Sequence, residues 1–214
     1  MIPMIKKWKV CECFGIPLYV DVTFIALAVM CMLSSGSIIG GLLGAVLLAF
    51  SIVAHELGHS LTARKFGCPT RLIVLSVLGG CAALEKLPRS PKQELLVAVA
   101  GPAVSFALGV IGIACGAMAS FIVLNFCLGL FNLLPGFPMD GGRVLRAALQ
   151  MKLPRVKATW WAMRVGRVVA CILGGLGFIA LLHGGVNGLM LMLIAWFIWK
   201  AGHQEYIAVS CYGA

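Results

Sequence analysis

The distribution of charge along the chain constrains its fold more than any other feature. Three long stretches contain no Asp, Glu, Lys or Arg: residues 22–54, 95–139 and 168–199, which are 33, 45 and 32 positions long. A helix that spans a bilayer needs about 20 apolar residues, so each stretch is too long for one helix and long enough for two. Small or helix-breaking residues lie near the middle of each, which is typical of a helical hairpin. The sequence therefore predicts about six transmembrane helices.

The composition supports a membrane protein. Of 214 residues, 61% are hydrophobic and 11% are charged, and the mean hydropathy is +1.04. A soluble chain carries about 25% charged residues, and a water-soluble globule of this size could not hide so much apolar surface. The predicted fold class is an all-α membrane protein. A small membrane-associated β element is expected between spans two and three, because residues 70–84 are apolar, β-branched and flanked by glycine.

The basic residues predict the orientation. All 17 Lys and Arg residues lie before span one, between spans two and three, around the connection of spans four and five, or after span six. Under the positive-inside rule, both termini and the two long loops are cytoplasmic. The net charge of +10 is then explained by loops that face anionic lipid. We expect the lipid bilayer as a partner and no nucleic acid.

Cysteine is abundant but does not indicate a metal site. The nine cysteines are odd in number and lie mostly in apolar runs, where cysteine behaves as a small hydrophobic residue. Cys11 and Cys13 lack a second pair that would complete a zinc site.

Span two contains the sequence His55-Glu56-Leu57-Gly58-His59. Residues i and i+4 share one helical face, so His55 and His59 can bind one Zn²⁺, and Glu56 can reach a zinc-bound water as general base. The alternative is a set of polar residues that line a helix interface. That alternative is costly, because a carboxylate at the bilayer centre costs at least about 2.5–3.5 kcal/mol.

A catalytic zinc usually has three protein ligands and one open position. Asp140 is the preferred third ligand, since His183 falls in a predicted turn and His203 follows the last span. Pro135, Pro138 and the two glycines after Asp140 predict an interrupted helix there. Irregular backbone at membrane depth lines a wet cavity or is packed in protein. The alternative is a solvated aspartate in a helix C-terminal turn.

At this point the sequence resembles a known family. His55–His59 and Asn132-Leu-Leu-Pro-Gly-Phe-Pro-Met-Asp140-Gly together are similar to the signature of site-2 proteases, the intramembrane zinc metalloproteases of peptidase family M50. Leu78-Gly-Gly80 and Ala100-Gly-Pro102 are further similar stretches. The resemblance covers roughly residues 14–150. Many members carry a His where this chain has Asp21, whose role stays open.

The resemblance implies a set of site residues. His55, His59 and Asp140 would hold one Zn²⁺ per chain. Glu56 would activate the water and pass its proton to the leaving amine. Asn132 would hold the substrate carbonyl or stabilise the oxyanion; the alternative is an interhelical hydrogen bond.

The β element suggests how substrate is held. An open strand edge between Thr70 and Leu84 could pair with an unwound substrate, and Gly79, Gly80 and Pro135 are the expected substrate contacts. A hairpin that packs without touching substrate is the alternative.

The predicted function is hydrolysis of peptide bonds within or beside a substrate's transmembrane segment, with a fragment released to the cytoplasm. The partners would be a transmembrane protein substrate, the bilayer and a regulatory membrane protein. We expect a multi-pass protein of a bacterial cell membrane. A zinc transporter and a catalytically silent module that binds transmembrane helices stay open.

The expected organisation of the chain follows from these assignments. Residues 1–21 form a cytoplasmic or interfacial segment, 22–150 the catalytic transmembrane core, 151–206 a C-terminal helical hairpin, and 207–214 a tail.

Overall fold

A computed structural model of the protein describes residues 6–34, 36–77, 79–86, 88, 90–185 and 187–212. Leu78, part of one motif named above, lies outside the described residues. The strands are β1 (Lys7–Cys13), β2 (Ile16–Asp21), β3 (Thr70–Ser76) and β4 (Gly79–Leu84). The helices are α1 (Val22–Ser34), α2 (Ile38–Lys65), α3 (Pro91–Ala114), α4 (Ala119–Asn132), α5 (Asp140–Gln150), α6 (Arg155–Leu182) and α7 (Asn187–Tyr212). The prediction of a mainly helical protein with a small β element is confirmed.

Three helices, α2, α3 and α6, are long and apolar enough to cross a membrane. Two shorter apolar helices lie at Val22–Leu33 and Ala119–Asn132. Large apolar side chains are widely exposed, among them Ile39 and Leu182, as expected for helices in contact with lipid rather than water. These features indicate an integral membrane protein, and the count of six spans stays a prediction.

The chain forms two compact units. The first contains the described residues up to Pro88 together with Ala100–Gly129, and the second contains the described residues among 89–99 and 130–214.

A four-stranded sheet in the order β1-β2-β3-β4 belongs to the first unit. The β element predicted at residues 70–84 is present as the antiparallel pair β3 and β4, whereas β1 and β2 were not predicted. β2 runs parallel to β3, with Leu18 opposite Ile73. Both side chains are buried and pack with Ile52 of α2 in one apolar core.

Asp21 has a clear structural role at the start of α1. Its Oδ1 accepts hydrogen bonds from the backbone N–H of Thr23 (2.9 Å) and of Phe24 (3.0 Å), as a helix N-cap does. The Thr23 hydroxyl in turn accepts from the N–H of Val77 at 3.0 Å. The cap therefore also ties α1 to the turn between β3 and β4.

Glycine contacts bring the helices of the second unit together. A Cβ added to Gly188 of α7 would lie 2.3 Å from the carbonyl oxygen of Gly177 on α6, so the two backbones touch there. A Cβ on Gly136 would likewise lie 2.9 Å from the Cα of Gly166. Small residues let helices approach closely in this way. In a bilayer this matters because apolar side chains gain little by packing against each other instead of against lipid.

A buried charge cluster joins three helices of the same unit. Arg146 of α5 is 4% exposed and Glu94 of α3 is 3% exposed. The Arg146 guanidinium donates to Glu94 Oε1 through Nε at 2.8 Å and Nη2 at 2.5 Å, and to Glu205 of α7 through Nη1. The guanidinium also lies over the Phe137 ring at 5.0 Å. This cluster holds α5 and the segment before it.

Candidate metal centre

Helices α2 and α3 cross in close contact at the His-Glu motif. A Cβ on Gly58 would lie 2.8 Å from the carbonyl oxygen of Ala100. A Cβ on Gly101 would lie 2.1 Å from Nε2 of His59. Only glycine fits at these two positions, so the Ala100-Gly-Pro102 motif makes room for the His59 ring. This motif was identified from the sequence as a stretch similar to site-2 proteases, but no role was predicted for it.

Ser105 orients the first histidine of the motif. Its hydroxyl lies 2.9 Å from Nδ1 of His55, and its side chain is fully buried. An imidazole that binds metal through Nε2 carries its proton on Nδ1 and donates it to such a partner, which fixes the tautomer and the ring. Sequence reasoning missed Ser105, although it lies one helical turn after Gly101.

The two imidazoles have the spacing that a tetrahedral metal ion requires. Nε2 of His55 and Nε2 of His59 are 3.2 Å apart, and both rings are buried. Two nitrogens bound tetrahedrally to one zinc at about 2.0–2.1 Å lie roughly 3.3 Å from each other. The pair therefore fits a single zinc ion.

Asp140 is the third residue of the predicted ligand set. One ligand atom from each of His55, His59 and Asp140 lies within 4.8 Å of the others. Among the described residues, these three are the His, Cys, Asp or Glu side chains that lie close enough together to hold a metal ion. Two imidazoles and a carboxylate form a set typical of catalytic zinc.

The start of α5 differs in one detail from the sequence prediction. The helix is interrupted only between Asn132 and Asp140, and Gly141 and Gly142 lie inside α5. A Cβ on Gly141 would lie 2.2 Å from the carbonyl oxygen of Leu133, and one on Gly142 would lie 2.7 Å from the backbone N of Phe137. These two glycines do not break α5. They let the segment between Asn132 and Asp140 fold back against the start of the helix. Asp140 thereby becomes the first residue of α5.

Glu56 is half-buried and lies against the start of β4. A Cβ on Gly80 would lie 2.4 Å from Cγ of Glu56, so Gly80 leaves space for that side chain. Gly79 has a φ of +108°, which only glycine adopts readily. The positive φ accounts for glycine at position 79, and the contact with Glu56 accounts for glycine at position 80. The predicted substrate contacts of both glycines stay predictions.

Asn132 and Pro135 lie in the same part of the chain. Asn132 is the last residue of α4, Pro135 lies in the connection to α5, and both are half-buried. Their predicted contacts with substrate stay predictions.

A second buried asparagine was not singled out by sequence reasoning. Nδ2 of Asn125 donates to the hydroxyl of Ser51 at 3.0 Å, and both side chains are fully buried. Ser51, His55 and His59 follow one another at intervals of four residues, so they share one face of α2. An asparagine in the middle of an uncharged, apolar helix was the available signal.

Cys11 differs from these donors. Desolvation raises the pKa of its thiol, and the neighbouring Cys13 raises it further. A raised pKa disfavours the thiolate that binds zinc.

Comparison with known proteins agrees with this geometry. The model of Peptidase family M50 matches residues 43–121 and 116–173, which is more than half of the chain. The chain belongs to peptidase family M50. The resemblance to site-2 proteases predicted from the two motifs is confirmed.

Relatives of this M50 protein include zinc metalloproteases by name. It is 35% identical over 205 residues to Zinc metalloprotease MJ0392 of Methanocaldococcus jannaschii, covering 89% of this chain and 58% of that protein. It is 41% identical over 183 residues to Rip3 of Mycobacterium tuberculosis, covering 78% of this chain and 47% of that protein. The chain spans about half the length of these relatives.

A solved structure extends the agreement to the fold. The Site-2 Protease from Methanocaldococcus jannaschii matches the M50 chain with a TM-score of 0.70 and 32% identity, and the match covers 94% of this chain and 95% of that one. The fold is therefore that of a site-2 protease.

Proposed function

We propose that this protein is an intramembrane zinc metalloendopeptidase that cleaves within or beside the transmembrane segment of a membrane protein. One observation carries the proposal. The Nε2 atoms of His55 and His59 stand 3.2 Å apart, and Glu56 follows the first of them on the same helix. A transporter or a helix-binding module has no need for a carboxylate at that position.

The chain's own residues divide the chemistry between them. His55, His59 and Asp140 would hold Zn²⁺, which supplies an acidified water and polarises the scissile carbonyl. The Glu56 carboxylate accepts a proton from the attacking water and then donates it to the leaving amine. The Asn132 amide donates a hydrogen bond to the substrate oxygen as negative charge develops on it.

Substrate would be presented as an extended strand. A helical segment shields its amide bonds in hydrogen bonds and must unwind before hydrolysis. β4 is last in the described strand order, so an unwound segment can add beside it. Gly79 and Gly80, at the start of β4, would then contact the substrate near Glu56, and Pro135 would contact it from the connection that precedes α5.

The proposed topology has six spans, formed by α1, α2, α3, α4, α6 and α7. The connections α1–α2, α3–α4 and α6–α7 contain no Lys or Arg, whereas the other connections contain many. Both termini therefore face the cytoplasm, and the cleaved fragment is released there. We infer a bacterial cell membrane as the location and a partner membrane protein as the regulator.

The test is cleavage of a tagged single-span substrate by purified protein in detergent or nanodiscs. Wild type is compared with Glu56→Gln, which keeps the size of the side chain but removes its charge, and zinc is measured on both. We expect about one zinc per chain in both proteins and cleavage only by wild type. Cleavage by Glu56→Gln at the wild-type rate would overturn the proposed role of Glu56.

Two further measurements on wild type and Glu56→Gln, zinc transport in vesicles and substrate binding, distinguish the two alternatives. A transporter would move zinc across a vesicle membrane equally well in both proteins. If the protein is a helix-binding module, wild type and Glu56→Gln would bind the substrate equally, and neither would cleave it. A folded wild-type protein without zinc would refute the metal centre itself.

A further inference from the structure

The hairpin of α6 and α7 carries three cations that stack on tryptophan rings. Cζ of Arg164 lies 4.3 Å from the centroid of Trp160, and Cζ of Arg167 lies 4.7 Å from that of Trp199. Nζ of Lys200 lies 5.8 Å from the centroid of Trp196. We name these six side chains the cationic cluster.

The cluster forms one continuous surface. Trp160, Arg164 and Arg167 are spaced by four and three residues, so they share a face of α6. The contact of Arg167 with Trp199 carries that face across to α7, where Lys200 follows directly.

The positive charge of this surface is not neutralised by the protein. α6 and α7 contain five Lys or Arg residues but one acidic residue, Glu205, which is paired with Arg146. Among the described residues, none of the three cluster cations lies within ion-pair distance of a carboxylate. In the same part of the chain, Nε of Arg167 is buried without a hydrogen-bond partner. The cluster therefore attracts an anion that the described part of the chain does not supply.

Geometry favours phosphate as that anion. When a guanidinium stacks on an indole, its N–H groups point outward in the guanidinium's own plane. There they can donate hydrogen bonds to phosphate oxygens. Tryptophan also prefers the headgroup level of a bilayer, because one part of the ring is apolar and the N–H is polar.

The apolar residues beside the cluster identify the rest of the ligand. Val168 and Ile172 continue the Arg164 face by one and two turns, and Leu193 lies one turn before Trp196 on α7. These side chains are 60%, 57% and 53% exposed. An apolar strip that extends from a cationic cluster fits the acyl chains below a lipid headgroup. A free phosphate would make no favourable contact with such a strip.

We propose that the cationic cluster binds an anionic phospholipid, with the headgroup phosphate on Arg164, Arg167 and Lys200 and the acyl chains along the apolar strip. This site is separate from the proposed protease chemistry and would exist even if the chain cleaved nothing.

The experiment is a lipid titration followed by native mass spectrometry of the full chain in a neutral detergent. Phosphatidylglycerol is compared with phosphatidylcholine on wild type and on Arg164→Gln/Arg167→Gln. Each basic residue near an anionic lipid surface is worth about fivefold in binding, so the double variant should bind phosphatidylglycerol about 30-fold more weakly. Phosphatidylcholine should bind both proteins weakly and alike.

The matched control is Lys65→Gln/Lys92→Gln, which removes the same charge from two exposed sites outside the cluster. Its affinity for phosphatidylglycerol should equal that of wild type. Arg164→Lys/Arg167→Lys should retain most of the affinity, which separates loss of charge from loss of folding.

Three results would overturn the proposal. The first is equal binding of the two lipids by wild type, and the second is equal weakening by the control variant. The third is displacement of the lipid by inorganic phosphate, which would assign the cluster to a free anion.

Discussion

Replacing Gly101 with alanine tests whether the crossing of α2 and α3 positions a metal ligand. The added Cβ would stand 2.1 Å from Nε2 of His59. Non-bonded carbon contacts settle at about 3.5–4.0 Å, so the ring or the α3 backbone must retreat by more than about 1 Å. Metal coordination tolerates only about 0.2 Å. We therefore expect His59 to be lost as a ligand.

The size of the effect follows from the same numbers. Removal of an outer-shell partner already weakens metal binding by about 10–100-fold, so displacement of a ligand should weaken zinc binding by more than about 100-fold. Overpacking should also lower the free energy of unfolding by about 1–3 kcal/mol. Zinc affinity is measured by competition with a chelator, and stability by thermal unfolding of the metal-free protein.

The matched control is Gly44→Ala in α2. A Cβ there would meet nothing within 4 Å, so zinc affinity should stay at the wild-type value, and the free energy of unfolding should rise by about 0.4–1 kcal/mol. Wild-type zinc affinity in Gly101→Ala, with only its unfolding temperature lowered, would show that the α3 backbone yields instead of the ring. That result would refute the reasoning.

Three further substitutions probe neighbouring contacts. Gly80→Ala should displace the Glu56 side chain and lower the cleavage rate by about 100-fold at unchanged zinc content, because a general base contributes at least about that factor; equal loss of zinc would contradict this. Ser105→Ala should weaken zinc binding by about 10–100-fold by releasing the His55 ring, and an unchanged chelator-competition curve would argue against that role. Arg146→Ala should lower the free energy of unfolding by about 3–5 kcal/mol by leaving a buried carboxylate unpaired, and denaturant unfolding with no shift would disprove it.

The metal centre was largely predictable because its information is local. His55 and His59 meet through helical periodicity alone, and Asp140 was identified from an interrupted helix and a motif. What sequence reasoning missed depends on contacts between distant segments. The identities of Gly101 and Ser105 do not by themselves predict that α3 packs against the His55–His59 motif, because the packing of two helices depends on the surfaces of both α2 and α3.

The fold shows the same division. Uncharged stretches predicted the apolar helices, and the β-branched run predicted β3 and β4. β2 was missed because its parallel partner β3 lies about fifty residues later in the chain, and β1 was missed with it because β1 pairs with β2. The N-cap of α1 was readable, since Asp21 directly precedes an apolar helix, yet Asp21 was treated as a residue of unknown role.

The parallel pairing of β2 with β3 has a consequence for biogenesis. Between the two strands the chain forms α1 and α2, so the sheet closes only after this hairpin has been made. On the ribosome, β2 must wait for about fifty further residues before its second partner, β3, emerges. Formation of the α1–α2 pair and completion of the sheet are therefore one ordered event, and a chain that stalls before β3 would leave the unpaired edge of β2 exposed to other proteins.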